Sequence, residues 1–148
     1  MISLIDSARA AEDSVLATLQ HHTGSVNVVR WSKDGKYLAS GSDDTYVLVY
    51  RFAAGTQAGG TFGSQKQAKN KENWQRCLTL QGHSMDVLDL DWCTNGLLAS
   101  GSIDNKVLIW DCSQVDGLIR SSTAILQPIR VLTGHKSFVK GLSFDPSK

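Results

Sequence analysis

The chain has 148 residues, 41% of them hydrophobic, with 15 basic against 14 acidic side chains. That is enough for a packed core, and the balanced charge offers no global field for nucleic acid or anionic lipid. No apolar run approaches the roughly 20 residues that cross a bilayer, and the N-terminus lacks the basic start and apolar block of a secretory signal. Residues 1–14 read as a tail. Short strands are expected at Val15 to Leu19, Val26 to Trp31, Lys36 to Ser40 and Tyr46 to Arg51, together spanning 15–52. Ser32-Lys33-Asp34-Gly35 and Ser42-Asp43-Asp44-Thr45 are turns between them. A polar insertion follows at 53–74, with Gly55, Gly59, Gly60 and Gly63 beside Lys66, Lys69 and Lys71, and with Phe62 and Trp74 as apolar anchors. Residues 75–112 resume with strands at Arg76 to Leu80, Val87 to Trp92, Leu97 to Ser100 and Lys106 to Trp110. A second loop covers 113–127. Strands at Ile129 to Leu132 and Phe138 to Phe144 complete 128–148. Strands at near-regular spacing with turn signals between them indicate an all-β chain.

The plan repeats. Leu38-Ala39-Ser40-Gly41-Ser42-Asp43-Asp44 through Tyr50 returns as Leu98-Ala99-Ser100-Gly101-Ser102-Ile103-Asp104 through Trp110. His22, His83 and His135 each stand nine residues before an aromatic, namely Trp31, Trp92 and Phe144. In a repeat, each unit is one supersecondary element that its neighbours must cover. A residue recurring at the same place in each unit is therefore read as holding that unit together. Chained hydrogen bonds can join a Trp N–H, a Ser hydroxyl, a His ring and an Asp carboxylate, and a satisfied buried network fixes one geometry. The sets are His83, Ser100, Asp104 and Trp110 in unit two, and His22, Ser40, Asp44 and Tyr50 in unit one. A phenol replaces the indole in unit one, which alters the reach of that network.

Ser, His and Asp together also invite a hydrolase reading. It fails because the trio occurs twice, no Gly-x-Ser-x-Gly elbow presents a nucleophile, and no oxyanion donor is evident. No catalytic residue, cofactor or metal is assigned. One His per unit scatters ligands that zinc needs to converge. Cys77, Cys93 and Cys112 have no metal spacing and leave one over in any disulfide scheme. They read as small apolar residues of a reduced compartment, cytosol or nucleus. Arg30, Lys140 and Asp91 lie next to repeat landmarks and are read as solvent-facing strand residues.

The Gly82-His83 and Gly134-His135 pairs and the run Leu98 to Asp111 resemble WD40 repeats over residues 15–148. The implied fold is a partial β-propeller of about two and a half four-stranded antiparallel blades. Propellers close from 4–8 blades, so the chain is expected to be a piece of a longer polypeptide or an incomplete gene product. A narrower likeness is carried by Gly24 to Trp31, Tyr37 to Asp44, Phe62-Gly63-Ser64, Glu72-Asn73-Trp74, Asp104-Asn105 and Phe138 to Pro146. These resemble the N-terminal propeller of the histone regulator A (HIRA) family. That resemblance implies a nuclear histone-chaperone subunit that deposits H3–H4 independently of replication. It further implies a complex with ubinuclein-type and cabin-type subunits and the anti-silencing-function chaperone, with the propeller as a rigid, non-enzymatic interaction platform. Direct DNA contact is not expected, given the near-neutral charge and absence of a basic groove. The alternative is a generic WD40 adaptor, such as a ubiquitin-ligase substrate receptor or a signalling scaffold. Tyr50-Arg51, His21 in place of the usual Gly, and the lysine-bearing loop depart from the pattern.

Overall fold

Eleven strands in three sheets make up the computed structural model, which describes residues 1–8, 14–53, 70–115 and 124–145. In chain order they are β1 (Ile2–Ile5), β2 (Val15–Leu19), β3 (Val26–Trp31), β4 (Tyr37–Ser42), β5 (Val47–Phe52) and β6 (Trp74–Leu80). Then come β7 (Val87–Trp92), β8 (Leu97–Ser102), β9 (Lys106–Asp111), β10 (Ala124–Leu126) and β11 (Arg130–Thr133). Blade 1 is the antiparallel set β3-β4-β5-β6, with β10 added in parallel along the outer edge of β6. Blade 2 is β7-β8-β9-β11, also antiparallel. β1 and β2 form a two-stranded antiparallel sheet of their own. The chain is therefore all-β, with the topology of a partial β-propeller.

The turns follow local chemistry. At the β3–β4 turn Ser32 Oγ donates to Asp34 Oδ1 at 2.7 Å and accepts the Tyr37 amide at 2.9 Å, while Gly35 takes φ +73°. The shorter β7–β8 turn uses Asn95, whose side-chain oxygen accepts the Leu97 amide at 3.2 Å, and Gly96 at φ +83°. In the β4–β5 and β8–β9 turns, Ser42 and Ser102 hydroxyls accept the Asp44 and Asp104 amides.

Side chains alternate along the blade strands, and the central strands of blade 1 are covered on both faces. In blade 1, Leu38, Leu48 and Tyr50 join Ile2, Ala17 and Leu19 in one core between blade and β1–β2 sheet. The opposite face sends Ala39, Val47 and Val49 into a second core with Leu98, Leu108 and Trp110 of blade 2. The blades thus pack as successive wedges, each burying its neighbour's apolar face. Two glycines mark how close they come. A Cβ added at Gly41 would lie 2.6 Å from Val87 Cγ1, and one at Gly101 would lie 2.6 Å from Val139 Cγ1. The same position in each unit is kept small so that the next wedge's valine can seat on it.

Three sequence expectations need correction. The supposed tail contains β1, because Ile2 and Leu4 gain a partner in β2 and a place in the first core. The 113–127 loop contains β10, which takes hydrogen bonds offered by the free edge of β6. Phe138 to Phe144 is not a strand. No strand lies beside it among the described residues, and its amides turn to blade 2 instead. Val139 donates to Ser102 O at 3.1 Å, Leu142 to Asp89 Oδ2 at 3.0 Å and Phe144 to Asp91 Oδ2 at 2.7 Å. Phe62 and the lysines Lys66 and Lys69 lie outside the described residues.

Candidate functional site

The recurring polar side chains meet at the end of each blade that carries the β4–β5 or β8–β9 turn. In blade 2, Trp110 Nε1 donates to Ser100 Oγ at 2.8 Å, and Ser100 Oγ lies 2.8 Å from His83 Nε2. His83 Nδ1 lies 2.9 Å from Asp104 Oδ2. An ionised carboxylate only accepts, so Nδ1 carries the hydrogen and Nε2 accepts the serine proton. Asp104 Oδ2 also accepts the Ser84 amide at 3.1 Å and Oδ1 the Lys106 amide at 3.0 Å. Burial favours the neutral ring and lowers the His83 pKa, although Asp104 pulls the other way. Burial works to raise the Asp104 pKa, but the bonds from His83 and Ser84 outweigh it and the net shift is downward.

Blade 1 repeats three of the four members. His22 Nδ1 lies 2.8 Å from Asp44 Oδ2 and His22 Nε2 lies 2.8 Å from Ser40 Oγ. Asp44 accepts the Thr23 and Tyr46 amides, and these bonds with His22 lower its pKa against the effect of burial. Tyr50 is fully buried where Trp110 stands in blade 2, yet its hydroxyl reaches no partner. Burial pushes the Tyr50 pKa up to about 12; nearby Ser40 moderates that rise without coming into hydrogen-bond geometry. The His21 ring leans on Tyr50 with centroids 5.5 Å apart.

Between the blades runs a second set of contacts, which the sequence reading missed. Asp89 Oδ1 accepts Arg30 of β3 at 2.9 Å while Oδ2 accepts the Leu142 amide. Asp91 Oδ1 lies 3.4 Å from Lys33 Nζ while Oδ2 accepts the Phe144 amide. Each aspartate on β7 therefore ties the preceding wedge to the following one. Arg30 is exposed on β3 as expected, although it also pairs with Asp89; Asp91 is only partly exposed, and Lys140 is exposed but lies outside any strand. The spacing of two aspartates on alternate residues of one strand was the available signal, because it places both on one face. Trp92 adds a further tie, donating from Nε1 to Arg30 O at 3.2 Å. Its counterpart Trp31 is 48% exposed and meets Trp74 edge-on at 5.3 Å.

Neither His–Ser–Asp set presents a nucleophile. Ser40 and Ser100 are 0% exposed, and the Ser100 hydroxyl is engaged on both sides. No cluster of three or more His, Cys, Asp or Glu suited to a metal occurs among the described residues. Cys77, Cys93 and Cys112 are buried, Cys77 Sγ donates to Val49 O at 3.2 Å, and burial raises the Cys112 thiol pKa to about 12. No helix among the described residues is long and apolar enough to cross a membrane.

Comparison with known proteins agrees with this geometry. The chain is 41% identical over 133 residues to Protein HIR1 of Mycosarcoma maydis, covering 89% of this chain and 12% of that protein. It is 40% identical over 134 residues to a chromatin assembly factor 1 protein of Mus musculus, covering 88% of this chain and 22% of that one. Against the Protein HIRA homolog of Drosophila melanogaster it is 49% identical over 98 residues, 66% of this chain and 9% of the relative. The chain thus spans under a quarter of the length of each of these relatives. The family model described as the CAF1B/HIR1 beta-propeller domain matches residues 2–148, and the chain belongs to that family as a HIRA-like N-terminal WD40 propeller.

Proposed function

We propose that this chain supplies interaction blades to a histone-chaperone subunit that works in the nucleus on H3–H4, independently of replication. The family match across residues 2–148 carries the reading. The name of the mouse relative places that protein in chromatin assembly. The buried side chains support a non-enzymatic role. His22, Ser40 and Asp44, and likewise His83, Ser100, Asp104 and Trp110, act as fasteners that hold each blade's loops in place. Rigid loops then present a fixed surface to partners, and affinity comes from a few anchors on it. The expected partners are ubinuclein-type and cabin-type subunits and the anti-silencing-function chaperone.

Affinity capture of the intact protein from nuclear extract tests this. Recovery of H3–H4 with a ubinuclein-type subunit is the expected result. Recovery of ubiquitin-ligase subunits without histones would overturn it in favour of a generic WD40 adaptor.

A further inference from the structure

At the end of blade 1 opposite the histidine network, a cleft of about 420 Å³ is lined by Tyr37, Arg51, Phe52 and Trp74, together with Lys36 and Glu72. Its aromatic wall is continuous. Trp74 stands edge-on to Phe52 at 5.8 Å, and Phe52 is 52% exposed. Around it Lys36 is ion-paired, and Glu72 is hydrogen-bonded but keeps its negative charge. Glu72 Oε2 accepts Trp74 Nε1 at 2.7 Å, and Lys36 Nζ sits 3.3 Å from Asp34. Arg51 is the exception. It makes no hydrogen bond or ion pair with the described residues, and its Nε is buried without a partner.

Blade architecture does not require these residues. At the matching positions of unit two stand Asp111 and Cys112. Asp111 Oδ1 accepts the Ser113 amide at 2.9 Å and hydroxyl at 2.6 Å, which closes the turn, and Cys112 is buried. Arg51 and Phe52 instead leave a guanidinium with no ion pair among the described residues beside an exposed aromatic ring, with the Glu72 carboxylate also in the lining. A guanidinium fork matches a carboxylate, and an aromatic wall receives an apolar side chain.

We propose that this cleft docks an acidic linear segment of a partner protein, with a carboxylate on Arg51 and an apolar side chain against Phe52 and Trp74. Nucleic acid fits less well. Phosphate tracking needs several unpaired cations, whereas Arg30, Lys33 and Lys36 are each paired with an aspartate. The inference stands apart from the chaperone reading, because the cleft's own residues define its ligand.

Fluorescence anisotropy on the intact protein tests it, using a short fluorescein-labelled peptide with a Leu-Phe pair flanked by Glu and Asp. Saturable binding is expected. Replacing the peptide's acids by amides, or its apolar pair by alanines, should each weaken binding about tenfold. Arg51→Gln should do the same at an unchanged thermal midpoint, and Phe52→Ser provides a second variant at an exposed position. The proposal is overturned if wild-type protein ignores the peptide or Arg51→Gln binds it equally well. It is also overturned if an oligothymidine strand binds in an Arg51-dependent way while the peptide does not. Self-association abolished by Arg51→Gln, without peptide binding, would reassign the cleft to a second copy of the chain.

Discussion

The Trp110 indole donates to the Ser100 hydroxyl at 2.8 Å with both residues fully buried, while the hydroxyl of the phenol at the matching place in blade 1, Tyr50, has no partner. Trp110→Phe leaves Ser100 short of a donor and opens a void, and should cost about 3 kcal/mol. Tyr50→Phe removes a polar atom already unpaired, and should be neutral or stabilising by about 1 kcal/mol. Equilibrium denaturation of both variants checks the contrast. Equal destabilisation by the two would remove the distinction between a completed and an incomplete chain of hydrogen bonds.

Gly41 shows how tightly the wedges meet. Gly41→Ala would press Cβ to 2.6 Å from Val87 Cγ1, and Val87 is fully buried and stiff at χ1. The expected loss is about 1–3 kcal/mol, typical of overpacking. Val87→Ala in the same chain should recover part of it, which a double-mutant cycle measures.

Acid should weaken the fold in two stages. The His83 pKa is lowered from 6.5 in the folded chain, so the unfolded chain takes up the proton first and stability falls as pH drops below about 6.5. Asp44, Asp91 and Asp104 are lowered from 3.8, so their stabilisation is present above that value and is lost as pH falls through their folded pKa values. At Asp91, burial opposes the shift, and the Phe144 amide and Lys33 prevail. Thermal midpoints recorded from about pH 7.5 to pH 3 should decline across both ranges, and His83→Gln should lessen the upper decline, to which His21, its pKa also lowered by burial, contributes the remainder. A flat midpoint down to pH 5 would contradict the assignment of a neutral, buried ring.

Thr45 and Asn105 occupy matching turn positions at φ 73° and 65°. A β-branched residue is strained there, whereas asparagine tolerates it. Thr45→Asn should raise stability by about 0.5–1 kcal/mol, read as an increased midpoint in a thermal melt. No gain would show that the threonine is held by contacts the turn comparison does not capture.

Strands β3 to β9 were legible because two copies of one pattern reinforce each other, and their ends differ from expectation by two residues or fewer. His22, Ser40 and Asp44 were legible for the same reason. Elements without a second copy were not. Ile2–Ile5 is four residues long, and its strand character comes from pairing with β2 rather than from its own periodicity. Phe138 to Phe144 has the composition of a strand, but pairing needs a neighbour that composition cannot supply. The Asp89 and Asp91 bridges depend on which wedges adjoin, which is information held by the assembled fold. The Arg51 cleft arises where the two units disagree, so a search for shared residues passes over it.

β10 governs how the wedges come apart. The strands that flank it in sequence, β9 and β11, both belong to blade 2, yet β10 lies along the rim of blade 1 and pairs with Leu78, Thr79 and Leu80. The backbone leaves one wedge, laces through the edge of the other and comes back. Neither wedge can peel off intact while that stitch holds, so the pair should melt as a single cooperative unit.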